Sequence, residues 1–254
     1  MALDQLGPVF LLLTAAIALL AGFVKGAVGF AMPMIMISAV GSYLPPELAL
    51  AALILPTVAA NLWQASRGGA LAAWNAVISH RLMFVSFLAT IAASAQLVGI
   101  LTDRVLFLVL GVPIVVFTLL QITGFRLTIR AAHRRRAQVI AGLIGGFTGG
   151  LSGVWGPPII MLLTASDTAK AEQVRVQGVI YSAGSVVLLL SHLGSGVLNP
   201  QTLPLSLWLT APAMLGMALG FAVHDRLDQG RFRRATLIVL TISGLNLIRR
   251  ALTG

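Results

Sequence analysis

Residues 22–33 read GFVKGAVGFAMP, and residues 146–157 read GFTGGLSGVWGP. Displaced by 124 residues, the two stretches share five positions: Gly22 with Gly146, Phe23 with Phe147, Gly26 with Gly150, Gly29 with Gly153, and Pro33 with Pro157. Both lie in strongly apolar surroundings. Glycine inside a helix costs about 1 kcal/mol relative to alanine, and proline lacks the N–H that a helix interior needs. Each copy therefore marks a place where a membrane helix stops and restarts. Irregular backbone at membrane depth survives only where it is buried in protein or lines a wet cavity. Two interruptions at matching places in two halves of a chain point to a transporter's binding site.

The composition sets the solvent. Of the 254 residues, 58% are hydrophobic and 9% charged, against about 25% charged in soluble domains. The apolar runs are long enough for membrane helices rather than the ~10-residue strands of a barrel. There is no cysteine, which removes disulfides, Cys-ligated zinc, iron–sulfur clusters and thiol nucleophiles. The four histidines are scattered without an HExxH, so no metal and no cofactor is expected. The net charge of +10 falls in short clusters between apolar spans, as in cytoplasmic loops, and this sets nucleic acid aside. The charge preceding the first apolar run is Asp4. A signal peptide opens with basic residues, so the run reads as a first membrane segment.

Ten helical segments are expected, at residues 8–28, 31–43, 46–66, 80–101, 104–124, 137–153, 157–167, 171–194, 204–224 and 232–252. Arg126, Arg130, Arg134, Arg135 and Arg136 form a basic linker that divides the chain into a first membrane repeat (1–125), the linker (126–136) and a second membrane repeat (137–254). Three loops are basic: 67–81, the linker and 224–234. Arginine-rich loops stay on the cytoplasmic side. Keeping all three there demands an even number of crossings between residues 136 and 224, so the short segment 157–167 counts as one. Each half then has five crossings, an odd number, and the second half enters from the opposite side. The fold class expected is an all-α polytopic membrane protein. It has two inverted-topology repeats of about five helical segments each, with broken, short helices meeting near the midplane. Both termini fall outside, where Arg249 and Arg250 fit poorly. Two full crossings need about 40 apolar residues, and residues 8–43 and 137–167 supply 36 and 31. Each pair should be a pinched hairpin whose tip stops short of the surface. The helices restarting near Met32 and Pro157 then aim two positive N-termini at a shared centre, a site for an anion.

The paired GF-x2-G-x2-G-x3-P segments, the two-half layout, the size and the basic central linker resemble the TauE/SafE family, the sulfite-exporter-like membrane permeases. The resemblance covers nearly the whole chain and is sharpest at residues 22–33 and 146–158. It implies a bacterial inner-membrane, multi-pass transporter that exports small sulfur-containing anions such as sulfite, sulfonates or sulfoacetate. The two copies diverge where Lys25 faces Gly149 and Ala31 faces Trp155, so the site should be asymmetric.

Candidate substrate-binding residues are Lys25, Gly26, Gly29, Asn61, Gln64, Gly150, Gly153, Trp155, Arg175, Gln177 and Tyr181, with Glu172 as a proton-accepting candidate. Each has a plainer reading. The glycines serve helix packing. Lys25 snorkels to the interface, and Trp155 anchors there. Arg175 pairs with Glu172 three residues before it, and Asn61 and Gln64 bond neighbouring helices. Gln177, Tyr181 and Ser185 recur at spacings of four and form a polar line. His192 reads as a packed or interfacial histidine, and Asp103, Asp225 and Asp228 as solvated charges. The expected partners are a small anionic substrate and the lipid bilayer, with a homodimer as the candidate assembly. With no Walker A loop, a secondary transporter working by alternating access is the leading reading. A permease or channel for another anion such as a carboxylate, a membrane-embedded enzyme and an assembly subunit are the alternatives. Paired membrane aspartates and a nucleophile–base pair are both lacking, which argues against the enzyme.

Overall fold

The computed structural model describes residues 7–67, 69–124, 128–223 and 228–253. Asp4, Arg126, His224, Asp225 and Arg226 lie outside the described residues. Among the described residues eleven α-helices follow in order: α1 (Pro8–Val28), α2 (Met32–Val40), α3 (Pro46–Ser66), α4 (Ala70–Ser79), α5 (Arg81–Ala95), α6 (Asp103–Ile122), α7 (Arg134–Ser152), α8 (Gly156–Ala165), α9 (Lys170–Gly194), α10 (Leu203–Val223) and α11 (Gln229–Thr253). No strand occurs among the described residues. Seven of the helical stretches are long and apolar enough to cross a membrane. The chain is an all-helical, multi-pass membrane protein.

The two glycine-rich stretches break the helices where the sequence pattern places the breaks. α1 ends at Gly29, whose φ of 83° is left-handed and whose N–H donates to the Lys25 carbonyl at 2.7 Å. α7 ends in the same way at Gly153, with φ 71° and a bond to Gly149 O at 2.6 Å. Glycine takes this conformation without a Cβ penalty. Pro33 and Pro157 fall in the first turns of α2 and α8, where a missing N–H removes no bond. The returning helices have 9 and 10 residues, roughly 14–15 Å at 1.5 Å per residue. That is half of the ~30 Å hydrocarbon layer. The tips stay inside the protein: Phe30, Ala31, Val154 and Trp155 are all buried.

Adding 124 to Met32 and Pro46 gives Gly156 and Lys170, the first residues of α8 and α9. Related helices of the two halves run antiparallel. Gly178 packs on Ala65 while Asn61 bonds Tyr181, so α3 and α9 oppose one another. Gly111 meets Gly244 while Thr241 bonds Thr118 at 2.7 Å, so α6 and α11 do the same. The arrangement is consistent with an inverted repeat. The closest interfaces join different halves: α1 lies along α10, and α5 along α7. Gly22 and Gly26 meet the backbone at Ala213 and Met217, and Gly142, Gly146 and Gly150 meet it at Met83, Phe87 and Ile91. A β-carbon at any of these five would collide. Spacings of four small residues allow this backbone approach. Gly26 and Gly150 are thus packing residues, and their expected place in the site is corrected.

Three further corrections concern the ends. Residues 67–81 are not a loop: α4 occupies most of them, too short to span a bilayer and therefore invisible to a search for spans. It packs on α9 through a face including Ala76 and leaves Leu71, Trp74 and Ile78 exposed on the other, a pattern suited to a membrane interface. α7 begins at Arg134, so Arg134, Arg135 and Arg136 form its first turn rather than a linker. Arg250, which fits the charge rule poorly, has a structural post: its guanidinium donates to the carbonyls of Gly41 and Leu44 and lies 4.5 Å from the Phe107 ring centroid. It thereby answers the negative end of α2. At the other end of the bundle the basic segments gather. Arg67 stacks on Phe221 at 4.2 Å, and Gln138 donates to Ser79 O at 3.3 Å.

Gly146→Val is expected to destabilise the protein by about 1–3 kcal/mol or more through overpacking, whereas Gly99→Ala, with open space around it, is expected to be neutral. Thermal denaturation of the purified protein in detergent checks the pair.

Candidate functional site

The two broken-helix tips meet. A β-carbon on Gly153 would lie 3.7 Å from Cβ of Pro33 and 2.9 Å from Leu53. Between the tips lies a small cavity lined by Lys25, Phe30, Ala31, Pro33, Met34 and Asn61 from the first half and Gly153, Val154, Trp155, Gly156 and Tyr181 from the second. α1 carries Lys25 in its last turn, α3 carries Asn61 near its end, and α9 carries Tyr181 near its middle.

Lys25 is 2% exposed. Its Nζ donates to Asn61 Oδ1 at 2.7 Å and lies 5.9 Å from the Tyr181 ring centroid. The snorkelling reading is therefore overturned. Asn61 is held in turn: its Nδ2 donates to Tyr181 O at 3.1 Å, and its own carbonyl accepts from Ser182 Oγ at 2.7 Å. The amide oxygen is thereby presented to the lysine. The ion pairs among the described residues are Arg175–Glu172 and Arg231–Asp228, so no carboxylate compensates Lys25 there. The Tyr181 hydroxyl, on a residue 3% exposed, finds no hydrogen-bond partner among the described residues. Thr57 Oγ1, one turn before Asn61, and both polar atoms of Gln64, beside Gly29 and Gly178, are likewise unpartnered there.

The asymmetry of the two copies has a spatial reason. Gly149 occupies the position of Lys25 in the second half, and a β-carbon on it would lie 2.9 Å from Cε3 of Trp155. The missing side chain makes room for the indole. Trp155 stands edge-on to Phe87 and tilted against Tyr181, with centroids 6.0 and 6.2 Å apart. Ala31, its counterpart, has φ 79°, a conformation that costs a non-glycine residue about 1–2 kcal/mol and gathers at functional sites. Neither first-turn start carries a side-chain cap, so the tips keep the positive character of helix N-termini.

Lys25, Asn61, Gly153, Trp155 and Tyr181 thus come together in one place, and Gly29 and Gln64 lie beside it. Arg175 and Glu172 do not reach it. They bond each other at 2.7 Å and are 41% and 32% exposed. There, at the basic end, burial lowers the pKa of His80, with Glu172 and the Ala76 carbonyl opposing and Arg134 reinforcing the shift. Gln177 is buried outside the lining. Ser185 is buried and turned to Ser182 O, and His192 is packed between Gly150 O and Ser195. The sequence reading missed Phe30, Ala31, Pro33, Met34, Val154 and Gly156 as lining. The repeat contains five of the six and Met34 follows it directly, but none of them carries a polar side chain that would signal chemistry.

A second, larger hollow of about 520 Å³ lies between α6, α7 and α8. Its lining is apolar except for Thr148, whose hydroxyl donates to the Val154 carbonyl at 2.8 Å. It offers no donor to an anion.

The sequence model of the family described as Sulfite exporter TauE/SafE matches residues 14–247, nearly the whole chain. No curated protein and no solved structure matches it.

Asn61→Leu would strand the buried Nζ and is expected to cost about 1–3 kcal/mol or more. The double variant Lys25→Met/Asn61→Leu is expected to recover most of that loss, because replacing both partners by apolar groups is close to neutral. A double-mutant cycle of melting temperatures in detergent checks it; simple additivity of the two single losses would contradict the pairing.

Proposed function

We propose that this chain, which belongs to the TauE/SafE sulfite exporter family and so to a family of membrane transporters, moves small sulfur oxyanions, sulfite and organosulfonates, by alternating access. The anion sits between the two tips. The observation that carries the reading is Lys25: a fully enclosed lysine, bonded to a neutral amide and without a carboxylate among the described residues. An uncompensated charge at such depth costs several kcal/mol, and a bound anion supplies the compensation. The Tyr181 hydroxyl and the N–H groups that prolines leave in the first turns, Met32 and Met34 in α2 and Gly156 in α8, add donors suited to oxyanion oxygens. Trp155, Met34 and Phe30 offer an apolar wall to the carbon side of an organosulfonate. The cavity measures about 20 Å³, space for roughly one water. A sulfonate needs more room than that, so the tips must part to admit it, which favours a carrier that changes conformation over an open channel. The basic end of the bundle suits the cytoplasmic side of a bacterial inner membrane, with export as the direction.

Proteoliposomes test this. Sulfite and methanesulfonate flux are expected to saturate and to exceed acetate flux. Lys25→Gln is expected to lower the flux at least about tenfold, the scale on which loss of a buried charge partner acts. Tyr181→Phe is expected to weaken sulfonate binding about tenfold, one charge-assisted hydrogen bond, without lowering the melting temperature. Equal saturable flux of acetate would favour a carboxylate permease, non-saturating conductance a channel, and no flux of any anion an enzyme or assembly role.

A further inference from the structure

We propose that Lys25 also carries the proton of the transport cycle, cationic while an anion occupies the cavity and neutral while the carrier returns empty. The inference rests on the anion-site reading above and adds its energetic coupling.

The local chemistry suits two protonation states. The fixed partner of Nζ is the Asn61 amide oxygen at 2.7 Å, which accepts equally from an ammonium and from an amine. It is locked in that orientation by the bond from Nδ2 to Tyr181 O. A carboxylate in this position would hold the lysine permanently charged; the amide does not. Among the described residues the surroundings add no compensating charge. α2, α8 and α10 carry no Asp, Glu, Lys, Arg or His at all. α3 contributes Glu47, exposed in its first turn, and is followed by Arg67, which stacks on Phe221. On α9, Glu172 and Arg175 pair with each other and His192 bonds Gly150 O. On α11, Arg231 pairs with Asp228, Arg234 is exposed, Arg249 bonds Asn246, and Arg250 bonds the end of α2. Among the described residues the titratable group set against Lys25 is Tyr181.

Charge conservation then dictates the cycle. Four states are conceivable for the closed centre, and two of them bury no net charge: amine with an empty cavity, and ammonium with a monoanion. The other two, ammonium alone and amine with an anion, bury one uncompensated charge and are disfavoured by the bilayer interior. On the loading side the amine lone pair takes a proton from water as the anion enters. On the release side the ammonium returns that proton to water as the anion leaves. One proton and one monoanion cross together, and no net charge moves. Glu172, a proton-accepting candidate in the sequence, has no part in this.

The test uses the full chain in liposomes loaded with methanesulfonate, which has no proton of its own to exchange near neutral pH, and with a pH-reporting dye. Wild-type efflux is expected to alkalinise the lumen by one proton per sulfonate. A potassium diffusion potential of either sign is expected to change the rate by less than about twofold, since a neutral pair feels no field. Lys25→Arg cannot lose its proton, so it is expected to keep sulfonate-for-sulfonate exchange while net efflux falls at least about tenfold. Voltage-driven efflux without a lumenal pH change overturns the coupling, as does net efflux by Lys25→Arg as fast as its exchange. The wild-type proton count does not depend on any variant folding. Unimpaired exchange by Lys25→Gln would instead overturn the anion site itself, and so separates the two failures.

Discussion

A helix that ends inside a bilayer leaves N–H and C=O groups with no water to bond. This chain contains two such ends and hides each against the other. The αL glycines Gly29 and Gly153 turn the chain, the prolines begin the return helices, and α3 and α9 cross behind them in opposite directions. At the second tip Thr148 Oγ1 donates to Val154 O and Ser152 Oγ accepts from Val154 N, so side chains replace the missing helical partners. Lys25 comes from the helix that ends at the first tip, and the Tyr181 hydroxyl, without a partner among the described residues, stands beside Gly156 of the second. The polar centre exists because the breaks are buried, and the breaks are tolerable because the centre is polar.

Glycine does two separate jobs within one motif. Gly29 and Gly153 supply backbone conformation. Gly22, Gly26, Gly146 and Gly150 supply thinness, letting α1 lie on α10 and α7 on α5 at backbone contact. Because both interfaces join one half to the other, the halves interlock rather than stand as separate bodies. Lipid tails are as apolar as leucine, so association within a bilayer depends on such close packing more than on the hydrophobic effect. The tips are therefore held by interfaces made from the same twelve-residue stretches that form them.

Divergence between the two copies localises the chemistry. Where the first half keeps Lys25, the second has Gly149 with an indole in the vacated space; where the second half keeps Trp155, the first has a strained Ala31. Charge comes from one tip and aromatic surface from the other, and neither half alone lines the cavity. Arg250 shows the same thrift at the far end, serving the carbonyl end of α2 and the ring of Phe107 at once.

What the sequence by itself determined was the solvent, the breaks and the family resemblance. Apolar runs, the 124-residue repeat and the Gly/Pro pattern are local or periodic, and such signals survive in one dimension. They were enough to place the stops at Gly29 and Gly153 and the restarts near Met32 and Pro157, and to nominate Lys25, Asn61, Trp155 and Tyr181. The tertiary structure decided which side of each helix faces what. Gly26 and Gly150 became packing residues because α10 and α5 lie against them. Lys25 became buried rather than interfacial because Asn61, 36 residues on, reaches it. Arg175 and Glu172 turned to each other at the surface. Helix α4 escaped a reading tuned to full spans. For the glycines and for Lys25 the deciding partner lies on another helix, and helix-to-helix rotation in an apolar bundle is set by steric fit between surfaces, which no periodicity within a single segment encodes; the Arg175–Glu172 pair, three residues apart on α9, is the exception that spacing alone offered.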